Sequence, residues 1–247
     1  MKIRKKCAVL FLVVLTDLCL GAAAIGIWAH FFSPFGGEAG ASSCVETENA
    51  PAQDAAADGA YGEPKTVALT FDDGPSADYT ERLLDGLRER DVKASFFLIG
   101  ECIEGNETIV KRMDEEGHLI GVHCLHHTDL TRETADCARE QLEETRTMIQ
   151  AITGKTPEYV RPPFGNWNEK LRETIDMEPV FWNVDSVDWK LKNTAQIVQK
   201  VVKDTKNGDI ILMHDEFRTS IEAALQIIDN LEANGYTFVT VDELSVD

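Results

Sequence analysis

The sequence predicts an α/β domain over residues 65–247, built on a parallel sheet closed or nearly closed as a β/α barrel. Three observations carry this expectation. Short apolar runs of strand composition alternate with longer segments of helical periodicity until seven strands have been counted. Glycines at 117, 154 and 235 fall where the helical pattern stops. The polar residues best suited to chemistry follow the apolar runs, at strand ends.

Residues 66–71 read as the first strand, broken by Gly74-Pro75. A helix follows over 77–90 with Leu83, Leu84 and Leu87 on one face. Residues 94–99 form the second strand, and Asn106 is expected to cap a helix bearing Ile109, Val110 and Met113. A short third strand over 118–122 leads to a helix over 134–152. The fourth strand is 159–161, residues 168–175 a short helix, and 179–184 the fifth strand. A helix over 194–204 turns Ile197, Val198, Val201 and Val202 inward before a sixth strand at 209–213. The last long helix, 220–233, precedes a seventh strand at 237–241.

Ahead of this domain, residues 1–6 are basic and residues 7–32 are apolar, interrupted mainly by Thr16, Asp17 and His30. The apolar run exceeds the roughly 7–15 residues of a cleaved signal core and reaches the roughly 20 that a span needs. Residues 1–32 are therefore expected to be a single-pass membrane anchor with the basic flank inside and everything after it outside. Asp17 would oppose insertion by about 2.5–3.5 kcal/mol. The alternative is cleavage near residues 21–24 and secretion. Residues 33–64, rich in Ala, Gly, Ser, Glu and Asp without apolar periodicity, are expected to be a disordered acidic tether.

The chain of 247 residues is 43% hydrophobic, enough for a full core, and carries a net charge of −19. Residues 65–247 hold 36 acids against 20 bases. Such a surface repels nucleic acid phosphates and excludes nucleic acid as a partner. The domain contains Cys102, Cys124 and Cys137, an odd number without C-x-x-C spacing, so neither a fully paired disulfide framework nor a closed zinc site is expected.

The strand ends hold the chemistry. Asp72 and Asp73 end the first strand, and two adjacent carboxylates repel unless a cation sits between them or one takes a proton. His123, His126 and His127 follow the third strand, Arg161 ends the fourth, Asp185 and Asp188 follow the fifth, and His214 and Asp215 follow the sixth. In a β/α barrel these ends share the face where active sites are built. His123 and His127, four apart, fit one side of a helical turn, and His123 with His126 would serve almost as well. With one carboxylate they give a two-His, one-Asp set that leaves positions open for water and substrate, as in a catalytic metal site. His214 is either a core histidine or, at this face, a proton-transfer group.

Thr70-Phe71-Asp72-Asp73-Gly74-Pro75, His123-x-x-x-His127, Arg161-Pro162-Pro163-Phe164-Gly165, Asp185-x-x-Asp188-Trp189 and Leu212-Met213-His214-Asp215 stand in the order and character of five motifs. They resemble those of the polysaccharide deacetylase family, the NodB-homology domain of carbohydrate esterase family 4, over residues 65 to about 244. The resemblance implies a distorted (β/α)7 barrel and metal-dependent removal of acetyl from N-acetylglucosamine units. It implies Asp73, His123 and His127 as metal ligands, Asp72 as general base held and tuned by Arg161, and His214 as general acid oriented by Asp188. The backbone N–H of Phe164 would help hold the oxyanion, and Trp189 and Leu212 would line the slot for the acetyl methyl. Zinc suits the His/His/Asp set, with cobalt, nickel or manganese as substitutes. Cys124 departs from the usual Ser or Thr, which puts a hydrogen bond behind the ligands in doubt, and Phe164 replaces the commoner Tyr. The second acid of the first motif resembles the branches acting on N-acetylglucosamine. Together with an outside-facing anchor this points to peptidoglycan, with chitin-like polymers, acetylxylan and a non-catalytic wall-binding role as alternatives. Trp167 and Trp182 are candidates for stacking on sugar rings.

Overall fold

The computed structural model describes residues 65–244, and the expected anchor (1–32) and tether (33–64) lie outside the described residues. Among the described residues no helix is long and apolar enough to cross a membrane. The sheet is organised by β1 (Lys65–Asp72), buried without interruption from Val67 onward. A strand covered on both faces reads as a continuous apolar run, as central strands of parallel sheets do.

Seven further strands follow: β2 (Ser95–Ile99), β3 (Leu119–Cys124), β4 (Tyr159–Val160), β5 (Glu178–Pro179), β6 (Val184–Asp185), β7 (Ile210–His214) and β8 (Tyr236–Val239). Every ladder between them is parallel. The order is β5-β4-β3-β2-β1-β7-β6, with β8 paired to the first half of β1. The register places Asp72 beside His214 on one side and Phe97 on the other.

The helices are α1 (Thr80–Glu89), α2 (Gly100–Ile103), α3 (Glu107–Glu115), α4 (Ala135–Thr153), α5 (Glu169–Thr174), α6 (Asp188–Leu191), α7 (Thr194–Asp204) and α8 (Arg218–Ala233). The inward leucines of α1 and Ile227, Ile228 and Leu231 of α8 are buried against the sheet. Each such side chain contributes about 1.5–3 kcal/mol of transfer free energy. Capping follows the sequence at α4, where the Thr134 hydroxyl accepts from the Cys137 N–H and Gly154 closes the helix at φ +75°. At α3 it does not. Asn106 makes no cap bond and its amide instead donates to the Cys102 carbonyl at 2.9 Å, tying α3 back to α2.

Two expectations are corrected. The third strand runs on through Cys124, so His123 lies on the strand and not in the loop beyond it. The expected fifth strand, 179–184, is split: β5 pairs with β4, β6 pairs with β7, and residues 180–183 lie between. The reason lies in the carbonyls of Val180 and Phe181, which accept from Arg161 Nε and Nη2 at 3.3 Å each. The two outer strands of the sheet are thus the two ends of one segment, and the sheet curls into an incomplete barrel whose two edges this segment joins.

Candidate active site

The C-terminal ends of β1, β3, β6 and β7 and the segment after β4 converge on a cavity of about 460 Å³ lined by Asp72, Asp73, His123, His127, Pro162, Phe164, Trp182, Asp185, Trp189, Leu212 and His214. Parallel strands bring these ends to one face whatever their separation in sequence.

Asp73 sits just past β1 in the left-handed region, φ +74°, which aspartate tolerates. Its Oδ1 lies 3.3 Å from His123 Nε2 and 3.4 Å from His127 Nε2. The three side chains alone, among the described residues, form a cluster fit to hold a metal ion. His123 Nδ1 lies 2.6 Å from the Arg161 carbonyl, which can only accept, so Nδ1 carries the hydrogen and Nε2 presents its lone pair. Asp73 Oδ1 is buried and receives no hydrogen bond of good geometry. A carboxylate oxygen facing imidazole lone pairs at this distance is repulsive without a cation, so the donor set fits a divalent metal of the zinc type. Burial raises the Asp73 pKa, but the His123 contact and the positive charge that His123, His214 and His127 carry when protonated outweigh it and hold the group below its ordinary value. Burial lowers that of His127, against the charge of Asp73.

His123 and His127 do not share a helical turn. β3 delivers His123, and the chain then reverses so that His127, at φ +50°, returns to it with ring centroids 5.1 Å apart. Cys124 makes this turn: its buried Sγ accepts from the His127 N–H at 2.8 Å. Burial pushes the thiol up to about 11, so it is not a thiolate ligand at neutral pH. His126 points outward to Glu101 at 3.1 Å. Phe164 is 60% exposed, with its ring edge-on to His127 at 4.7 Å.

On one side of the metal set stands Asp72, whose Oδ1 accepts from Arg161 Nη1 at 2.9 Å. Arg161 is completely buried, and the same nitrogen donates to Thr70 Oγ1 at 2.6 Å. Burial pulls its pKa down against the Asp72 charge, yet a guanidinium stays protonated. Thr70 shares a face of β1 with Asp72 by strand alternation, and its hydroxyl passes on to the Ile211 carbonyl at 2.7 Å. The i, i+2 pattern in Thr70-Phe71-Asp72 was the available signal for this anchor, although it does not reveal the arginine.

On the other side His214 Nδ1 meets Asp188 Oδ1 at 2.7 Å, while Asp188 Oδ2 accepts from the His214 N–H at 2.9 Å. Burial alone would lower the His214 pKa. The bond and charge of Asp188, then the charges of Asp72 and Asp73, raise it to about 9. His214 Nε2 lies 4.0 Å from Asp73 Oδ2, at the cavity. Asp185 lines the cavity, with Oδ1 accepting from the Val187 N–H at 2.8 Å. Of the two tryptophans proposed for stacking, Trp182 lines the cavity and Trp167 packs against the core. Asp215, expected on the functional face, is wholly buried away from the cavity, and burial pushes its carboxyl up to about 7.

The polysaccharide deacetylase family model matches residues 59–177. The peptidoglycan-N-acetylglucosamine deacetylase PgdA of Listeria monocytogenes is 39% identical over 180 residues, covering 73% of this chain and 39% of that protein. The chain therefore spans well under half the length of that relative. The peptidoglycan-N-acetylmuramic acid deacetylase PdaA of Bacillus subtilis is 38% identical over 187 residues, covering 73% of this chain and 71% of that one. The structure of the peptidoglycan deacetylase PdaC from Bacillus subtilis superimposes with a TM-score of 0.72 at 40% identity, over 74% of this chain and 90% of that chain.

Proposed function

The chain belongs to the polysaccharide deacetylase family, and from that premise we propose that it hydrolyses the N-acetyl group of N-acetylglucosamine units in peptidoglycan. The observation that carries the reading is a metal-competent trio with an acid and a base on opposite sides of it. Asp73, His123 and His127 would hold the ion. When bound, such an ion polarises the amide carbonyl and lowers the pKa of water toward about 7.

The chain's own residues supply the rest. Asp72 has one oxygen tied to Arg161, which leaves Oδ2 to take a proton from the attacking water. The neighbouring guanidinium holds this carboxylate in place and aims it. The Phe164 N–H donates to the oxygen that gains charge as the carbonyl carbon becomes tetrahedral. His214, protonated at neutral pH, gives its Nε2 proton to the departing amine, a poor leaving group unless protonated. Asp188 fixes the ring and keeps the proton on it. The apolar walls at Leu212 and Trp189 receive the acetyl methyl. Retention of Asp73 favours N-acetylglucosamine over N-acetylmuramic acid as the unit attacked. The apolar run 7–32 would place the enzyme at the outer face of a membrane, in reach of the wall.

The test is mass spectrometry of muramidase fragments of peptidoglycan after incubation with the full chain loaded with Zn2+ or Co2+. Loss of acetyl from glucosamine units is expected. Loss confined to muramic acid units overturns the substrate assignment, and no loss from any acetylated polysaccharide overturns the hydrolase.

A further inference from the structure

The turn that carries Asp73 is pinned from below by residues the mechanism does not use. Asp215 follows His214 directly and is 0% exposed. Its carboxylate lies against the Cα of Gly74, where a Cβ would come within 2.5 Å of Oδ2 and 2.6 Å of Oδ1. Thr80, equally buried at the start of α1, donates its hydroxyl to Asp215 Oδ2. The same hydroxyl oxygen accepts from the Ser76 N–H at 2.7 Å. From the opposite side the Ile99 N–H donates to the Gly74 carbonyl at 3.0 Å.

These contacts leave one residue between two fixed points. Asp72 is held by the β1 ladder and by Arg161, and Gly74 to Ser76 are held by β2, Asp215 and Thr80. Asp73 alone bridges them, in a left-handed conformation that costs a non-glycine residue free energy and persists only where the surroundings over-determine it. Slack anywhere in 74–76 passes directly to the Asp73 carboxylate, which must stay within reach of two imidazoles from another strand. Because Asp215 directly follows the strand that presents His214, the same contact sets the metal-binding acid relative to the proton donor.

We propose that Asp215 and Thr80 are positioning residues for the metal site: the carboxylate and hydroxyl form a strut beneath residues 74–76 that fixes Asp73 toward His123 and His127. This rests on the reading of Asp73 as a metal ligand. It accounts for the lack of room for a Cβ at position 74 and for a buried acid with Oδ1 unpartnered beneath the site.

The experiment is titration of the full chain with Co2+, read by its visible absorption and by competition with a chelator, with no substrate present. Thr80→Val keeps the shape and removes the hydroxyl, and is expected to weaken Co2+ at least tenfold and shift the absorption bands. Thr80→Ser, which keeps the hydroxyl, is expected to bind as the wild type does. Wild-type affinity and spectrum in a folded Thr80→Val protein overturn the strut. Should that variant not fold, Gly74→Ala, which drives a methyl against Asp215, carries the same expectation, and unchanged Co2+ binding there overturns the proposal equally. A wild-type chain that takes up no Co2+ overturns the metal reading itself, an outcome distinct from failure of the strut.

Discussion

Replacing Asp188 by Asn separates the charge on the His214 partner from its shape. In the structure His214 is raised from an ordinary 6.5 to about 9, and the bond and charge of Asp188 are the largest effects that oppose burial. A shift of that size corresponds to about 3 kcal/mol of preference for the protonated ring. Removing one adjacent charge is worth about 1–3 pKa units, which would bring His214 to about 7. The protonated fraction at pH 8 then falls about tenfold, and at pH 6 it hardly changes. The assay is kcat from acetate release across pH 5–10, with the alkaline limb as the readout. A cation held at Asp73 lowers both pKa values together, so the displacement between wild type and variant is the quantity to compare. Asn also offers one oxygen where the carboxylate serves three donors, the His214 Nδ1–H, the His214 N–H and the Trp189 N–H, and an unpartnered buried donor costs about 1–3 kcal/mol. That lowers kcat at every pH without moving the limb. The stability sign is equally definite: a raised pKa stabilises fully below about pH 6.5, and the contribution is lost as pH rises through about 9. An alkaline limb in the variant that coincides with the wild type refutes His214 as the acid.

Two further outcomes follow from side chains behind the site. Cys124→Ser keeps an acceptor for the His127 N–H and is expected to hold Co2+ within about threefold of wild type, whereas Cys124→Val leaves that N–H unpaired and is expected to weaken it at least tenfold; equal affinities in the two variants would remove the role assigned to Sγ. His118 is buried, its Nδ1 accepts from the Ala94 N–H at 3.1 Å, and burial lowers its pKa to about 4. The unfolded chain therefore binds the extra proton first, and stability is lost as pH falls from about 6.5 toward 4, by about 2–3 kcal/mol at pH 4.5. Urea unfolding of His118→Gln at pH 7 and pH 4.5 should show that much less acid sensitivity, and an unchanged difference between the two pH values refutes it.

The sequence exposes most of the sheet because a parallel strand buried on both faces is an apolar run of limited length, and helices between such runs have a different period. It also exposes the strand-end acids, histidines and Arg161, since a parallel topology gathers those ends whatever the loops do. What escapes it is set by contacts distant in sequence. Nothing around residues 179–184 announces that Val180 and Phe181 surrender their carbonyls to Arg161, so the segment reads as one strand and is two. The spacing of His123 and His127 suggests a helical turn because i, i+4 is the usual way to align two imidazoles; here a strand and a Cys-braced reversal achieve it. Asp215 looks like one more acid at the site until burial and Thr80 place it underneath.

The split segment gives Arg161 a second duty. Its guanidinium joins β1, through Thr70 and Asp72, to the two residues where the outer wall lacks a ladder. The ion that holds the base is therefore also the rivet that shuts the wall. A substitution at position 161 therefore removes the support of the base and a tie across the wall in the same stroke.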